Sequence, residues 1–192
     1  MKALVRIPLI LLLLAVLATA GCDDYVEETD QGGVILQVEI DPVLIFAGVN
    51  DGDGDAAPFD TLTITNNPAR PNGNTSTLMD VNVDTLEVTY TRADTGTRVP
   101  PPFVFRLAGI APINGTLVIQ NGFLLSRDQV LRPPLSDLLF ENGGIDPETG
   151  ASSIRLNASI RIFGQTVGGE DVASLPRVQT IEVRPTLLGT GL

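Results

Sequence analysis

Several reactive side chains are missing from this 192-residue sequence. It has no histidine and no tryptophan, one cysteine (Cys22) and one lysine (Lys2). Histidine, cysteine and lysine supply most nucleophilic, zinc-binding and Schiff-base sites. Their absence beyond residue 22 excludes a Ser-His-Asp or Cys-His triad, a zinc centre of the usual kind and a lysine-dependent phosphate-binding loop. Carboxylates, hydroxyls and arginine remain for chemistry.

Positive charge and aromatic side chains are also scarce. Residues 22–192 contain ten arginines against 23 carboxylates, a net charge of −13. Such a surface repels nucleic acid, so we expect no nucleic-acid partner, and it favours cations, including divalent metals. The chain has seven Phe and two Tyr. Most of them occupy alternating apolar positions, which predicts that they lie in a core and do not form an exposed sugar site.

The first residues have the pattern of a secretory signal peptide. Lys2 and Arg6 precede an apolar run over residues 9–18, and the run ends in small residues at 19–21. A membrane-spanning helix is the alternative. Arg6 and Pro8 leave the run shorter than the roughly 20 apolar residues that spanning requires, so the signal peptide is the better interpretation.

Residues 17–22, Leu-Ala-Thr-Ala-Gly-Cys, resemble the lipobox of bacterial lipoproteins. The resemblance covers the first 22 residues only, and Thr19 stands where the motif prefers leucine. It implies cleavage after Gly21 and acylation of Cys22, with enough acyl chains to hold the protein in a lipid bilayer of the bacterial cell envelope. The alternative is cleavage by ordinary signal peptidase, which would leave an unpaired thiol.

The sequence divides into four parts. We expect a signal peptide at 1–21, the lipidated cysteine with an acidic tether at 22–33, a β-sandwich domain at 34–185 and a C-terminal tail at 186–192. The tether is predicted because residues 23–33 are acidic, lack periodicity and end in two glycines.

Short alternating segments predict an all-β fold. Val34–Ile40 and Thr61–Thr65 alternate apolar and polar residues, Leu44–Phe46 extends the edge of the first, and Ile181–Val183 suggests a closing strand. The clearest strand is Ile154–Ile162, with Ile and Leu on one side and Arg, Asn and Ser on the other. Turn signals about every ten residues favour an antiparallel β-sandwich, for which an immunoglobulin-like topology is preferred on pattern alone.

Two local signals mark irregular points in the strands. The apolar residues change from odd positions at Val83 to even positions at Leu86, which predicts a bulge, or two strands meeting, near Asp84. Pro100–Pro102 predicts a sheet edge beginning at Phe103. The alternative is a polyproline ligand for another domain.

Other signals predict turns. Asn114-Gly115 and Asn121-Gly122 predict tight hairpin turns on both sides of one strand. Asn66–Ser76 has the composition of a long loop. Pro134 is expected to open a short helical turn that ends at Phe140 and packs its leucines on the sandwich.

An acidic segment is the candidate metal site. Asp51, Asp53 and Asp55 alternate with glycine and resemble the opening of a calcium loop. An EF-hand is excluded, because Ala56 and Leu62 stand at positions 6 and 12, where that motif needs Gly and Glu. A looser calcium site that uses the three aspartates with backbone carbonyls remains, and no other cofactor is expected. The alternative is a solvated acidic loop.

The sequence favours a lipid-anchored, non-catalytic binding module with a role in adhesion, scaffolding or assembly. We expect an unidentified envelope protein as its partner, bound through loops or a sheet edge. The alternatives are a carboxylate-dependent glycan hydrolase and a calcium-dependent binding domain. The acids of the hydrolase would come from Asp51, Asp53, Asp55, Asp80 or Asp84. Arg155 and Arg161 face outward on the longest strand, where they serve either an acidic ligand or a solvated sheet face.

Overall fold

Residues 31–42, 44–49 and 57–185 are described by a computed structural model, and they fold into two facing β-sheets. The strands are β1 (Val34–Asp41), β2 (Leu44–Val49), β3 (Pro58–Pro68), β4 (Val81–Arg92), β5 (Phe103–Ala111), β6 (Gly115–Phe123), β7 (Ile154–Thr166), β8 (Asp171–Ala173) and β9 (Arg177–Pro185). A four-residue α-helix, α1, spans Arg127–Val130. Short 3-10 turns lie at Gln31–Gly33, Thr77–Met79, Leu135–Leu138 and Phe140–Asn142. The prediction of an all-β sandwich is confirmed.

The two sheets differ in size. The small sheet has the order β1-β3-β6, and the large sheet has the order β2-β9-β7-β4-β5, with β8 paired to β7. Every described pair is antiparallel except β2 with β9, which is parallel. The prediction of a purely antiparallel sandwich was therefore wrong at this pair. Residues 44–46 do not extend the edge of β1, because the chain changes sheet after Asp41 and runs beside a strand distant in sequence.

Alternation places the core between the sheets. In β7 the apolar residues from Ile154 to Ile162 are fully buried, and the polar residues between them point outward, as predicted. Burying a side chain of this size contributes roughly 1.5–3 kcal/mol relative to leaving it exposed. The leucines of the Leu135–Leu138 turn also pack into this core, which confirms the predicted helical turn in 3-10 form.

The predicted irregularity at Asp84 is a bulge within β4. Val83 pairs with Gly164 of β7 and Thr85 pairs with Phe163, so the register moves by one residue between them. Gly164 is required at this point, since a Cβ there would lie 2.3 Å from the Asn82 carbonyl oxygen. The bulge lets residues on both sides of it direct their apolar side chains into one core.

Pro100–Pro102 precedes β5, the outermost strand of the large sheet, as predicted. The two Asn-Gly dipeptides do not form the predicted pair of hairpin turns. Asn121 and Gly122 lie inside β6, so the turn predicted there was wrong. A tight turn is present at Asn114, closed by the bond from the Gly115 N–H to the Pro112 carbonyl, but it joins strands of different sheets. Both asparagines have positive φ, 58° at Asn114 and 55° at Asn121. Asparagine adopts this conformation readily. The Asn-Gly dipeptide therefore indicates a residue with positive φ, and here it does not form a hairpin.

Asn66 also departs from the predicted loop. It lies in β3, is fully buried, and donates its side-chain amide to the carbonyls of Met79 and Ala111, each at 2.9 Å. The loop begins only after Pro68. A polar composition predicted solvent exposure here, but the side chain instead joins the end of the small sheet to the edge of the large one.

Candidate functional site

Three phenylalanine rings form an exposed cluster where β5 and β6 lie near each other. The ring centroid of Phe103 is 6.3 Å from that of Phe105 and 5.5 Å from that of Phe123, and the last two are 5.9 Å apart. Phe105 and Phe123 are each 42% exposed. The prediction that the aromatic residues lie in the core was wrong here, although Phe59 and Tyr90 are buried as expected.

An apolar cleft of about 180 Å³ opens beside this cluster. Its walls are Phe59, Leu86, Phe105, Leu107, Ile119, Gln120, Asn121, Gly122 and Phe123. Cavities of about 150 Å³ with similar apolar linings bind benzene-sized molecules. The cleft therefore has room for one aromatic or branched aliphatic group.

The cleft is open because β5 and β6 are each the last described strand of their sheet. β5 pairs only with β4, and β6 pairs only with β3, among the described strands. The small sheet has three strands and the large sheet six. β6 faces β5 through the rings of Phe123 and Phe105 and through the close approach of Leu117 to Gly109, and the cleft opens between these contacts. In a closed sandwich both inner faces are covered, and here Phe105 and Leu107 are left partly exposed.

The chain crossing between β5 and β6 fixes one end of this opening. Gly115 donates its backbone N–H to the carbonyl of Pro112 at 2.9 Å, and Ile113 donates to the carboxylate of Asp80 at 2.8 Å. The amide of Asn114 reaches the carbonyl of Asn66 at 2.8 Å. These bonds hold the crossing to both sheets and set the separation of the two edges.

The other end is fixed by helix α1. Ser126 caps the helix and forms a capping box with Gln129, and the Gln129 side-chain amide donates to the carbonyl of Pro101 at 2.6 Å. The buried Tyr90 hydroxyl donates to the carbonyl of Leu124 at 2.5 Å. Burial raises the pKa of Tyr90, so the hydroxyl keeps the proton that it donates. The spacing Ser-x-x-Gln is a capping signal that the sequence contained and the sequence reasoning missed.

Gly122 brings the floor of the cleft close to the β6 backbone. Phe59 pairs with Gly122 across the small sheet, and a Cβ at that glycine would lie 2.2 Å from the ring of Phe59. The far end of the ring therefore packs against the strand at Gly122, and Phe59 is only 4% exposed. A larger residue at 122 would push Phe59 into the cleft and reduce its volume.

A second cluster surrounds Arg92, whose side chain is only 2% exposed. Its guanidinium contacts the carboxylates of Asp94 at 2.6 Å, Asp146 at 2.7 Å and Glu148 at 3.6 Å. Asp146 is fully buried and also accepts from the hydroxyl of Thr149 at 2.8 Å. Each carboxylate also accepts hydrogen bonds from nearby groups, so the cluster ties the loop after β4 to the loop before β7.

The acids of this cluster are held in their ionised form. Burial alone would raise the pKa of Asp94, but hydrogen bonds from Arg92 and from backbone amides lower that pKa to about 2. Burial likewise opposes ionisation of Asp146, and the hydrogen bonds from Arg92 and Thr149 lower its pKa below the ordinary value. A general acid needs a raised pKa, so these residues are suited to structure and not to proton donation.

The acids predicted for a hydrolase are not brought together within the described part of the chain. Asp80 accepts the bond from Ile113 at the crossing, and Asp84 is exposed at the bulge, 3.9 Å from Arg106. Four residues of extended chain separate their Cα atoms by roughly 13 Å, and the two carboxylates contact different partners. Neither residue lines the apolar cleft.

The two outward arginines of β7 have partners inside the molecule. The Nε of Arg155 lies 3.6 Å from the carboxylate of Glu182, which also contacts Arg184 at 2.7 Å. The guanidinium of Arg161 lies 5.2 Å from the ring centroid of Phe163. Their outward direction matches the sequence prediction, and these contacts account for them as parts of the sheet surface.

The remaining predicted site residues lie outside the described residues. These are Gly21, Cys22, Asp51, Asp53 and Asp55. Within residues 31–42, 44–49 and 57–185, no three acidic, histidine or cysteine side chains are grouped closely enough to hold a metal ion. No helix in this same part of the chain is long and apolar enough to cross a membrane. No protein-family model matches the sequence, and a search of curated proteins found no match either.

Proposed function

We propose that this chain is a lipid-anchored, non-catalytic binding module of the bacterial cell envelope, and that its binding surface is the apolar cleft between β5 and β6. The observation that carries the proposal is the exposure of Phe105 and Phe123 beside an open cleft. Contiguous exposed apolar surface in a strongly acidic protein favours a role in binding. The role in the envelope is adhesion, scaffolding or assembly.

The lipobox supports the anchor. Cys22 is the only cysteine in 192 residues, and it follows the small residue Gly21 at the end of the apolar leader. Two acyl chains on this cysteine hold a protein at a bilayer, because each buried methylene contributes roughly 0.8 kcal/mol. The predicted tether is shorter than residues 23–33, because Gln31–Gly33 form a 3-10 turn and Ala69 donates its backbone N–H to the carbonyl of Gly33 at 2.8 Å. In this proposal residues 23–30 act as the tether, and eight flexible residues have a root-mean-square reach of roughly 15 Å.

The chemistry of the side chains supports a role without catalysis. Residues 22–192 lack histidine, lysine and tryptophan, and the half-buried Asp94 and the buried Asp146 remain ionised in their pairs with Arg92. The cleft itself is lined by apolar side chains and by the amides Gln120 and Asn121. Groups of this kind bind an apolar side chain well and provide no general acid or nucleophile.

The order of strands supports an immunoglobulin-like topology. In that fold the second and fifth strands pair in one sheet, and the third, sixth and seventh pair in the other. Here β3 pairs with β6, while β4, β7 and β9 lie side by side. β5 takes the place of the extra strand that variable-type domains add next to the third strand. No strand lies on the outer side of β6 among the described residues, where constant-type domains have one more.

The proposed binding surface is tested by capture of partners from crosslinked envelopes. Phe105→Ser and Phe123→Ser should each reduce the recovery of crosslinked envelope proteins at least several-fold. Phe140→Ser is the matched control, since Phe140 is 67% exposed and does not line the cleft. Equal recovery with all three variants, or no reproducible partner with the unaltered protein, would contradict the proposal.

The anchor is tested separately. Labelled palmitate should enter the unaltered protein and not Cys22→Ala, and the variant should leave the membrane fraction. A Cys22→Ala protein that stays bound to membranes after a salt wash would contradict lipid anchoring at this residue.

A further inference from the structure

Strand β5 leaves one edge of the large sheet without a neighbour. Among the described residues, Phe103–Ala111 pairs with β4 alone, and Arg106 is its one charged residue. Val104 and Ile110 on its outer face are 59% and 57% exposed. An edge of this kind presents a row of free backbone donors and acceptors, which readily pair with another strand.

The free edges of the small sheet differ from β5. β1 has the acidic residues Glu39 and Asp41 at exposed positions, and Leu175 donates its backbone N–H to the carbonyl of Leu36 at 3.3 Å. β6 contains Asn121, whose φ of 55° interrupts the extended backbone. Charges, covering segments and irregular backbone all protect an edge against pairing. β5 has no acidic residue, no proline and no residue with positive φ. Its one irregularity is a shift in register against β4, where Gly109 pairs with Val83 and Arg106 pairs with Thr85.

The sequence of β5 is complementary to itself in the antiparallel direction. When Phe103–Ala111 overlaps fully with a second copy, Leu107 lies at the centre and Val104 lies opposite Ile110. Phe105 then lies opposite Gly109, and Arg106 lies opposite Ala108. Large residues meet small ones, apolar residues meet apolar ones, and no two like charges lie directly opposite each other.

The flanking prolines favour this register over its neighbours. Full overlap puts Pro102 of one copy opposite Pro112 of the other, just outside the paired strands. A shift of two residues, the smallest that keeps the same side chains inward, would bring a proline against a strand residue. Proline has no N–H to donate to the ladder, so the shifted register loses hydrogen bonds at its ends.

We propose that two copies of this chain form a dimer by antiparallel pairing of β5 with β5 around a two-fold axis at Leu107. The two large sheets then form one continuous sheet, with both clefts on the same face. Phe105 of each copy lies beside Gly109 of the other, so each copy contributes to the apolar surface of its partner's cleft. The dimer requires neither acylation of Cys22 nor an occupant in the cleft, and the readouts below are separate from those that test the proposed function.

Disulfide crosslinking tests the register directly in the full-length chain. Opposite residues of an antiparallel pair have Cα atoms about 4.5–5.5 Å apart, within the range of a disulfide. Copies with Val104→Cys and copies with Ile110→Cys, carrying different tags and made in the same cells, should crosslink to each other upon mild oxidation. Either variant alone should not, because six residues of strand separate equivalent positions by roughly 20 Å.

Matched controls distinguish specific pairing of β5 with β5 from crosslinks that form when copies collide at random. Val118→Cys lies on the outer face of β6 at 48% exposure and should give only background crosslinking with Ile110→Cys. The unaltered chain controls for Cys22. In sedimentation equilibrium the unaltered protein should have the mass of two chains, and Ile110→Glu should shift it to one chain, whereas Val118→Glu should not.

Three outcomes would overturn the dimer. The first is a crosslink between Val104→Cys and Ile110→Cys no stronger than the Val118→Cys background. The second is an unaltered protein that sediments as a single chain. The third is a crosslink from position 104 to a different protein, which would assign the β5 edge to that partner.

Discussion

Replacing Arg92 by methionine removes the cation at the centre of the buried ion cluster and keeps most of the apolar length of the side chain. Asp146 would then be a fully buried carboxylate without its cation, and Asp94 would lose its shortest contact, 2.6 Å. Removing one member of a buried pair typically costs 3–5 kcal/mol, because the other charge stays buried without compensation.

The hydrogen bonds that the two aspartates keep in Arg92→Met decide where in this range the loss of unfolding free energy lies. Asp146 keeps the hydroxyl of Thr149, and Asp94 keeps the backbone amides of Gly96 and Arg155. We therefore expect a loss of about 3 kcal/mol, near the lower limit. For a domain of this size, 1 kcal/mol changes the melting temperature by about 2–4 °C, so the melting temperature should fall by about 6–12 °C.

Thermal unfolding of the purified variants, followed by circular dichroism, measures this effect. Arg98→Met is the matched control, since Arg98 is 41% exposed and its carboxylate partner is Asp137. Such exposed pairs contribute about 1 kcal/mol or less. The double variant Arg92→Met with Asp146→Leu should recover part of the loss, because it removes the buried charge as well. A fall below about 2 °C for Arg92→Met would refute the reasoning.

The pH dependence of stability provides a second measurement of the same cluster. The pKa of Asp94 is lowered in the folded protein from 3.8 to about 2. Its contribution of about 2 kcal/mol is therefore complete above pH 4 and is lost as the pH falls toward 2. The free energy of unfolding should fall more steeply over this interval in the unaltered protein than in Arg92→Met. Parallel curves would contradict the assigned pairing.

Three further predictions concern separate parts of the molecule. Gly164→Ala should lower the free energy of unfolding by about 3 kcal/mol, because the new methyl group meets the carbonyl of Asn82, and urea titration measures it. Tyr90→Phe leaves the buried carbonyl of Leu124 without its donor and should cost about 1–2 kcal/mol in the same assay. Cys22→Ala should reduce β5 crosslinking in cells at equal expression, because copies released from a shared membrane meet less often.

The parts of the fold that were predicted from the sequence depend on local periodicity. The alternation of Ile154–Ile162 identified the central strand β7, and the change from odd to even apolar positions identified the bulge at Asp84. Each signal can be read from consecutive residues alone, because a strand alternates with a period of two and a bulge adds one residue to that alternation. Neither requires knowledge of which strand lies alongside.

The parts that were missed depend on residues distant in sequence. Arg92 and Asp146 are 54 positions apart, and Gln129 reaches Pro101 across 28 positions. The parallel pairing of β2 with β9 joins residues more than 130 positions apart. Composition around Asn66 indicated a solvated loop, since a polar side chain is usually exposed. The two carbonyls that it bonds become neighbours only when the sheets face each other.

The apolar cleft was not predicted for the same reason, because it depends on contacts between strands that the local pattern of residues does not show. β5 and β6 have the alternation of ordinary half-buried strands, and periodicity alone predicts that Phe105 is inside. The side chain does point inward, yet it stays 42% exposed, because β5 and β6 are each the last strand of their sheet and no described strand lies beyond them. An inward residue at the edge of the wider sheet is buried only if another chain supplies the missing surface.

The proposed anchor and the proposed dimer strengthen each other. Copies anchored through Cys22 share a plane, and confinement raises their effective concentration without adding any contact. Anchoring therefore raises the paired fraction of this nine-residue strand contact above that of the same protein free in solution. Residues 22–192 have ten arginines and 23 carboxylates, a net charge of −13, so encounters between anchored copies are otherwise disfavoured. β5 has a single charged residue, Arg106, so two copies can bring this edge together without acidic side chains opposing each other.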